Sequence, residues 1–265
     1  MSSTEKFIVL SSDDKDGSSL SNSDFTITLK ETYYTQNISR IQIKEVIVPN
    51  CFYNISDGNQ SKGNGPANNQ LILQSSINGQ IIFNLEAGQY NIIQLISTLQ
   101  TVMNNILSGL GDAVVISRND ITNLLTFTFA VGSYAFNSSS SIAKVLGFYD
   151  SISDGPPGTT VYTLPYPPDL SGINTVYLHS RALSDSCSVD ASFGLINMFE
   201  SISMHNVPYG TFAYKLNPDN ELATINYMSP RNLLKIDIRL RDREGNRLDI
   251  GTKRLSIVIK VYYYI

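Results

Sequence analysis

The sequence predicts a mainly β chain folded as an antiparallel sandwich with one long amphipathic helix. Three observations carry this: about ten segments have strand signals, a single stretch repeats with helical period, and strand–helix–strand alternation is nearly absent. The chain has 265 residues with 42% hydrophobic and 10% aromatic content, enough to bury a core without a metal or disulfide staple and too much for a disordered chain. Only 16% of residues are charged, against about 25% in an average domain. Their places are taken by 33 Ser and 24 Asn, and a surface of small polar residues suits burial against other subunits.

The elements follow in order. Phe25, Ile27 and Leu29 alternate with Thr26, Thr28 and Lys30, a half-buried strand starting at Asp24. Ile41 and Ile43 hold one phase and Val46 and Val48 the other, so a β-bulge belongs near Lys44 and Glu45. Residues 50–70 read as a long surface loop. The runs 71–73 and 81–85 form a hairpin, with Asn78–Gly79 as a two-residue turn. Ile92, Leu95, Ile96, Leu99, Val102, Met103 and Ile106 recur at three- and four-residue steps, which predicts a helix over about 89–107 capped by Gly109.

Beyond the helix, 114–116 and 125–129 make another hairpin, and 141–146 a short helix stopped at Gly147. Residues 150–172 hold five of the ten prolines. Proline lacks the ladder donor, so this segment crosses the surface outside any sheet interior and marks a seam between two subregions. Strands resume over 173–180, 193–204, 211–216, 221–227, 233–240 and 254–264.

Catalytic constellations fail one after another. No G-x-S-x-G elbow or H-E-x-x-H pair occurs. His179 falls on the polar phase of its strand and reads as a surface or interface residue, with His205 the other histidine. Cys51 and Cys187 allow at most one bridge; structural burial is the commoner role, with a Cys–His nucleophile the alternative. Gly58 and Gly63 have Walker spacing, but Asn64 and Gly65 replace the required Lys and Ser/Thr. Asp14, Asp16 and Gly17 only weakly echo a calcium loop, with Ser23 where its Glu belongs. The reading is therefore of a non-enzyme with no catalytic, metal or cofactor residues and no small-molecule substrate. The opening MSSTEK carries no export leader, and no 18-residue apolar stretch exists. A soluble chain made in a reducing compartment is expected, with the four N-x-S sequons at Asn37, Asn54, Asn59 and Asn137 incidental.

Charge is uneven. Between Arg231 and Arg254 stand eight Lys or Arg and four acids, a local +4 against −8 elsewhere. A solvated strand face is the first reading, and a weak contact with packaged nucleic acid or membrane the second. Tyr262, Tyr263 and Tyr264 read as core or interface packing.

Several segments, in order, resemble one family: Phe7-Ile-Val-Leu-Ser-Ser12 leading to Ser23-Asp-Phe-Thr-Ile-Thr-Leu29, Ile43-Lys-Glu-Val-Ile-Val-Pro-Asn50, Tyr53-Asn-Ile55, Glu86-Ala-Gly-Gln-Tyr90, Thr126-Phe-Thr-Phe129, Leu146-Gly-Phe148, Val207–Pro208, Tyr209–Gly210 and Leu240-Arg-Asp-Arg-Glu-Gly-Asn246. This pattern is similar to the penton-type minor capsid proteins of virophages, polinton-like viruses and large eukaryotic DNA viruses. The resemblance implies a single jelly roll, at 24–265, interrupted by an α/β elaboration at about 70–168; the polar character of Ser11–Ser23 makes 1–23 an expected N-terminal arm or clasp at the subunit boundary. The resemblance implies a homopentamer closing each five-fold vertex of an icosahedral virion against double jelly-roll major capsid proteins. It places assembly in the host cytoplasm or virus factory. The alternative from another class is a carbohydrate-binding fibre or lectin-like module, for which Tyr53 and Tyr166 are the loop aromatics.

Overall fold

The computed structural model describes residues 5–30, 37–58, 67–148, 160–184, 197–217 and 224–263. Three strands open the chain: β1 (Glu5–Ser11), β2 (Asp24–Thr28) and β3 (Ile38–Pro49). Then come β4 (Gln70–Ser75), β5 (Gly79–Asn84), helix α1 (Ile92–Leu107), β6 (Val114–Arg118), β7 (Leu125–Phe129), β8 (Tyr134–Phe136), α2 (Ala143–Leu146) and β9 (Val161–Thr163). The chain returns through β10 (Thr175–His179), β11 (Met198–Ser203), β12 (Phe212–Leu216), β13 (Thr224–Arg231), β14 (Lys235–Arg241) and β15 (Ser256–Tyr263). They fall into two compact units: one of residues 1–52, 60–65 and 173–265, the other of 53–59 and 66–172.

The first unit is a jelly roll by its own strand order. One antiparallel sheet runs β1-β15-β3-β12, with β13 also on β3, and the other runs β11-β10-β14-β2. Counted along the chain with β13 as an extension, these orders are 1-8-3-6 and 5-4-7-2, two interleaved Greek keys. Strand alternation builds its core. Ile236, Ile238 and Leu240 of β14 point inward with Ile257, Ile259 and Val261 of β15, while Lys235, Asp237, Arg239 and Arg241 face out. The expected bulge is present in β3: Val258 pairs with Glu45 but Ile259 with Ile43, so Lys44 is the extra residue.

One expectation is corrected here. Residues 5–23 are not a separate arm, because β1 is a full strand of the roll, paired in unbroken register from Glu5↔Tyr262 to Ser11↔Ser256. Ile8 and Leu10 enter the core, so a short apolar run too brief for an independent signal is completed by a partner some 250 positions later. The following segment is also tied down: Asp16 N–H donates to Thr26 O at 2.8 Å and Asn22 Nδ2 to Lys253 O at 2.9 Å.

The second unit contains two three-stranded sheets, β5-β4-β8 and β6-β7-β9, with both helices. Helix α1 starts at Ile92 because Asn91 caps it: Asn91 Oδ1 accepts from Gln94 N and Gln94 Oε1 from Asn91 N, a capping box. Leu95, Leu99, Met103 and Leu107 form its buried face, whereas Ile106 stays exposed. The left-handed cap is Gly111 (φ 74°), not Gly109, since a 3-10 turn at Ser108–Leu110 carries the helix one turn further. The β4–β5 turn also differs: Ser75 pairs with Gly79, leaving a three-residue loop, with Gly79 at φ 68°. Ser75 Oγ accepts from Ile77 N and Asn78 N, which holds that longer turn closed. Gly147 caps α2 as expected, at φ 105°.

The seam segment contributes an edge strand, β9, whose Thr163 pairs with Thr126. Pro156 and Pro157 lie outside the described residues. The unit begins at Tyr53 and ends at Gly172, wider than 70–168, because Asn54 at its start is bonded to Tyr90 in its interior and to Leu170 near its end. Its Oδ1 accepts from Tyr90 N at 2.9 Å, and its Nδ2 donates to Tyr90 O at 2.8 Å and Leu170 O at 3.2 Å.

Candidate functional site

Cys51 follows β3 half-buried, and burial pushes its thiol up to about 11, with Asp249 adding to the rise and Lys253 opposing it. At neutral pH only about one in 10,000 such thiols is a thiolate, the wrong state for a nucleophile. Cys187 lies outside the described residues. His205 is exposed in the turn after β11, its N–H donating to Ser203 Oγ.

His179 is 6% exposed, which corrects the surface reading. Leu178 pairs with Glu200 but His179 with Met198, so Phe199 is the extra residue of the ladder; on its other side His179 pairs with Arg239, so it keeps the outward phase of its sheet and is covered there. Among the described residues no three His, Cys, Asp or Glu side chains gather to hold a metal.

The weak calcium-loop and glycine-loop patterns resolve into structural contacts. Asp16 accepts from Thr28 N and Oγ1 at 3.0 and 2.8 Å, and Asp13 sits 3.5 Å from Arg254. Gly58 occupies a left-handed turn (φ 75°), its N–H donating to Ser56 Oγ; Gly63 lies outside the described residues.

The basic run Arg231–Arg254 is largely self-neutralised. Arg239 lies 3.5 Å from Asp237 and 3.8 Å from Asp24. Arg247 reaches Asp24 at 4.0 Å and donates to Ser21 Oγ at 2.8 Å. Arg241 donates to Gly245 O at 2.9 Å. Such part-exposed pairs contribute little each, about 0–1 kcal/mol, but they occupy the cations; Lys235, Arg243, Lys253 and Arg254 are the exposed ones, Arg254 beside Asp13. At the end of β15, Tyr262 is buried beneath the Arg40 guanidinium at 3.8 Å and donates to Gln42 Oε1, the packing role expected of it. Tyr264 lies outside the described residues.

A surface that periodicity alone misassigns is the outward face of the first sheet. In β12, Phe212, Tyr214 and Leu216 form the heavy apolar phase, which a two-residue period assigns to the core. The structure inverts it: Ala213 is 2% exposed and Tyr214 59%. Register against β3 decides, because Ala213 pairs with Val48 and Lys215 with Val46, both inward residues. Lys215 is accommodated by Glu200 Oε1 at 2.6 Å and Ser201 O at 3.0 Å, and Asn217 Nδ2 holds the other Glu200 oxygen at 2.7 Å. The signal in the sequence is the phase itself: a strand with Ala and Lys opposite three large apolar residues needs a charged partner to be buried that way round.

At the opposite edge, β1 is apolar on both phases, and Phe7 and Val9 are left outward, Phe7 60% exposed. Cross-strand pairing joins the two edges. Val9 faces Val258, Val258 faces Glu45, Glu45 faces Leu216, and Ile47 faces Tyr214. The result is an apolar stripe over β1, β15, β3 and β12, interrupted by half-buried Glu45 in β3 and by Lys260 opposite Phe7.

No known protein family and no curated protein matches the sequence. Among solved structures the chain is similar to the crystal structure of the selenomethionine-labelled mavirus penton protein, at 12% identity and a TM-score of 0.49, covering 98% of this chain and 100% of that one. The jelly-roll assignment rests on the strand order given above. Among the described residues no helix is long and apolar enough to cross a membrane.

Proposed function

We propose that this chain is a structural capsid protein that assembles as a homopentamer and closes the five-fold vertices of an icosahedral virion. The observation that carries the reading is the apolar stripe on the outer face of a single jelly roll. An antiparallel sheet exposed to water normally keeps that face polar, so a stripe this size belongs to an assembly surface. The ordered motifs shared with penton-type capsid proteins give the assembly its class. In this reading the chain works by burying surface against identical copies and against neighbouring double jelly-roll major capsid proteins, and it transforms no substrate. It resides at the capsid vertex, assembled in the host cytoplasm or virus factory, with the exposed Lys235, Arg243 and Lys253 available for weak contact with nucleic acid or membrane.

Light scattering after size exclusion, together with negative-stain micrographs, tests this. Five copies of the 29.3 kDa chain in five-fold rings are expected, alone or on addition of the shell protein. A chain that stays monomeric with shell protein present and binds a glycan array would overturn the reading in favour of the lectin-like alternative.

A further inference from the structure

The stripe has two ends, and they differ. One lies on edge strand β1 as Phe7 and Val9; the other lies on edge strand β12 as Phe212, Tyr214 and Leu216. We propose that these two ends are the two halves of one contact, each copy setting Phe7 and Val9 against the β12 end of the next copy; the proposal rests on the capsid reading above.

Area, charge and direction support a second copy as the occupant. Each junction takes one end from each copy, and the two ends together expose on the order of 600 Å² of apolar surface, the apolar centre of a contact whose rim is polar. An anionic occupant, such as nucleic acid or a lipid headgroup, would want unengaged cations here. Lys260 Nζ instead sits 2.6 Å from Glu5 Oε2, and the Arg40 guanidinium is stacked on Tyr262.

Direction adds to this. β1 and β3 are both antiparallel to β15, and β12 is antiparallel to β3, so β1 and β12 run oppositely. Rotation about an axis along the strands preserves strand direction. Such a rotation brings edge β1 of one copy beside edge β12 of the next in antiparallel sense, apolar end to apolar end. The contact uses two different surfaces of one chain, which is the heterologous geometry that a closed ring requires.

Val9→Glu and Tyr214→Glu, separately and mixed, test the contact. Both positions are exposed, so each variant should keep the wild-type circular dichroism and urea midpoint. Each alone should raise the dissociation constant of self-association at least about 100-fold, because a carboxylate would be buried without a partner. Mixing the two variants leaves one intact junction: the Tyr214→Glu chain supplies Phe7 and Val9, and the Val9→Glu chain supplies Phe212 and Tyr214. A heterodimer that grows no further is therefore expected by sedimentation velocity. Variants that assemble like wild type would overturn the inference and leave the capsid reading standing. A mixture that stays monomeric would overturn the end-to-end contact. Wild-type chain that never self-associates, with or without shell protein, would overturn the inference and the pentamer together.

Discussion

Replacing Ala213 and then its neighbour Tyr214 by Asp separates the inverted phase of β12 from the pattern its sequence suggests. Ala213 lies in the core, paired with Val48. A carboxylate there loses its water and gains no cation, since Lys215 is already held by Glu200. The cost is several kcal/mol, about 3–5 on the scale of an unpaired buried charge. Tyr214 faces solvent, and its replacement should move stability by no more than about 0.5 kcal/mol. Urea unfolding followed by circular dichroism, at concentrations low enough to hold the chain monomeric, measures both. Lys215→Met supplies the internal control. Glu200 is mostly buried, so losing its cation should cost about 2–3 kcal/mol, between the surface and the fully buried cases. If Tyr214→Asp proves the more damaging of the two, or Lys215→Met is neutral, then β12 faces the other way and the stripe does not exist.

Three other outcomes are expected. Asp112 is buried, and burial works to raise its carboxyl; hydrogen bonds from Ala113 N, Val131 N, Gly132 N and Tyr134 Oη outweigh that and hold it below the usual range. Its stabilisation is therefore complete above the unfolded value near 3.9 and fades as pH falls through the lower folded value. Asp112→Ala should cost about 3–5 kcal/mol at pH 7 by leaving those donors unpaired, and should flatten the acid limb of a stability–pH curve. Gly147→Ala should destabilise the second unit by about 3 kcal/mol or more in thermal unfolding, because a Cβ there falls 2.0 Å from Tyr166 O at a left-handed φ. Deleting residues 1–11 should abolish cooperative unfolding, not merely weaken assembly, since it uncovers β15 and removes Ile8 and Leu10, roughly 1.5–3 kcal/mol of burial each. A truncated chain with a wild-type melting curve would restore the arm.

What the sequence determined by itself is what local chemistry decides. Alternation at Phe25–Ile27, the phase flip around Lys44–Glu45, the helix read from the repeat Ile92 to Ile106 and the stop at Gly147 each depend on residues within a turn or two, and each is found in the structure.

Tertiary structure decided everything that depends on a distant partner. Three-residue β8 is too short to show a period, and β1 becomes a strand only by pairing with β15. Asn54 looks like any loop asparagine until the chain brings Tyr90 and Leu170 to it. The candidate surface is the sharpest case. Periodicity says that β12 has two unlike faces, but which face turns to water is settled by its register against Val46 and Val48 and by Glu200 waiting for Lys215. Side chains alternate by local geometry, whereas inside and outside are properties of the pair.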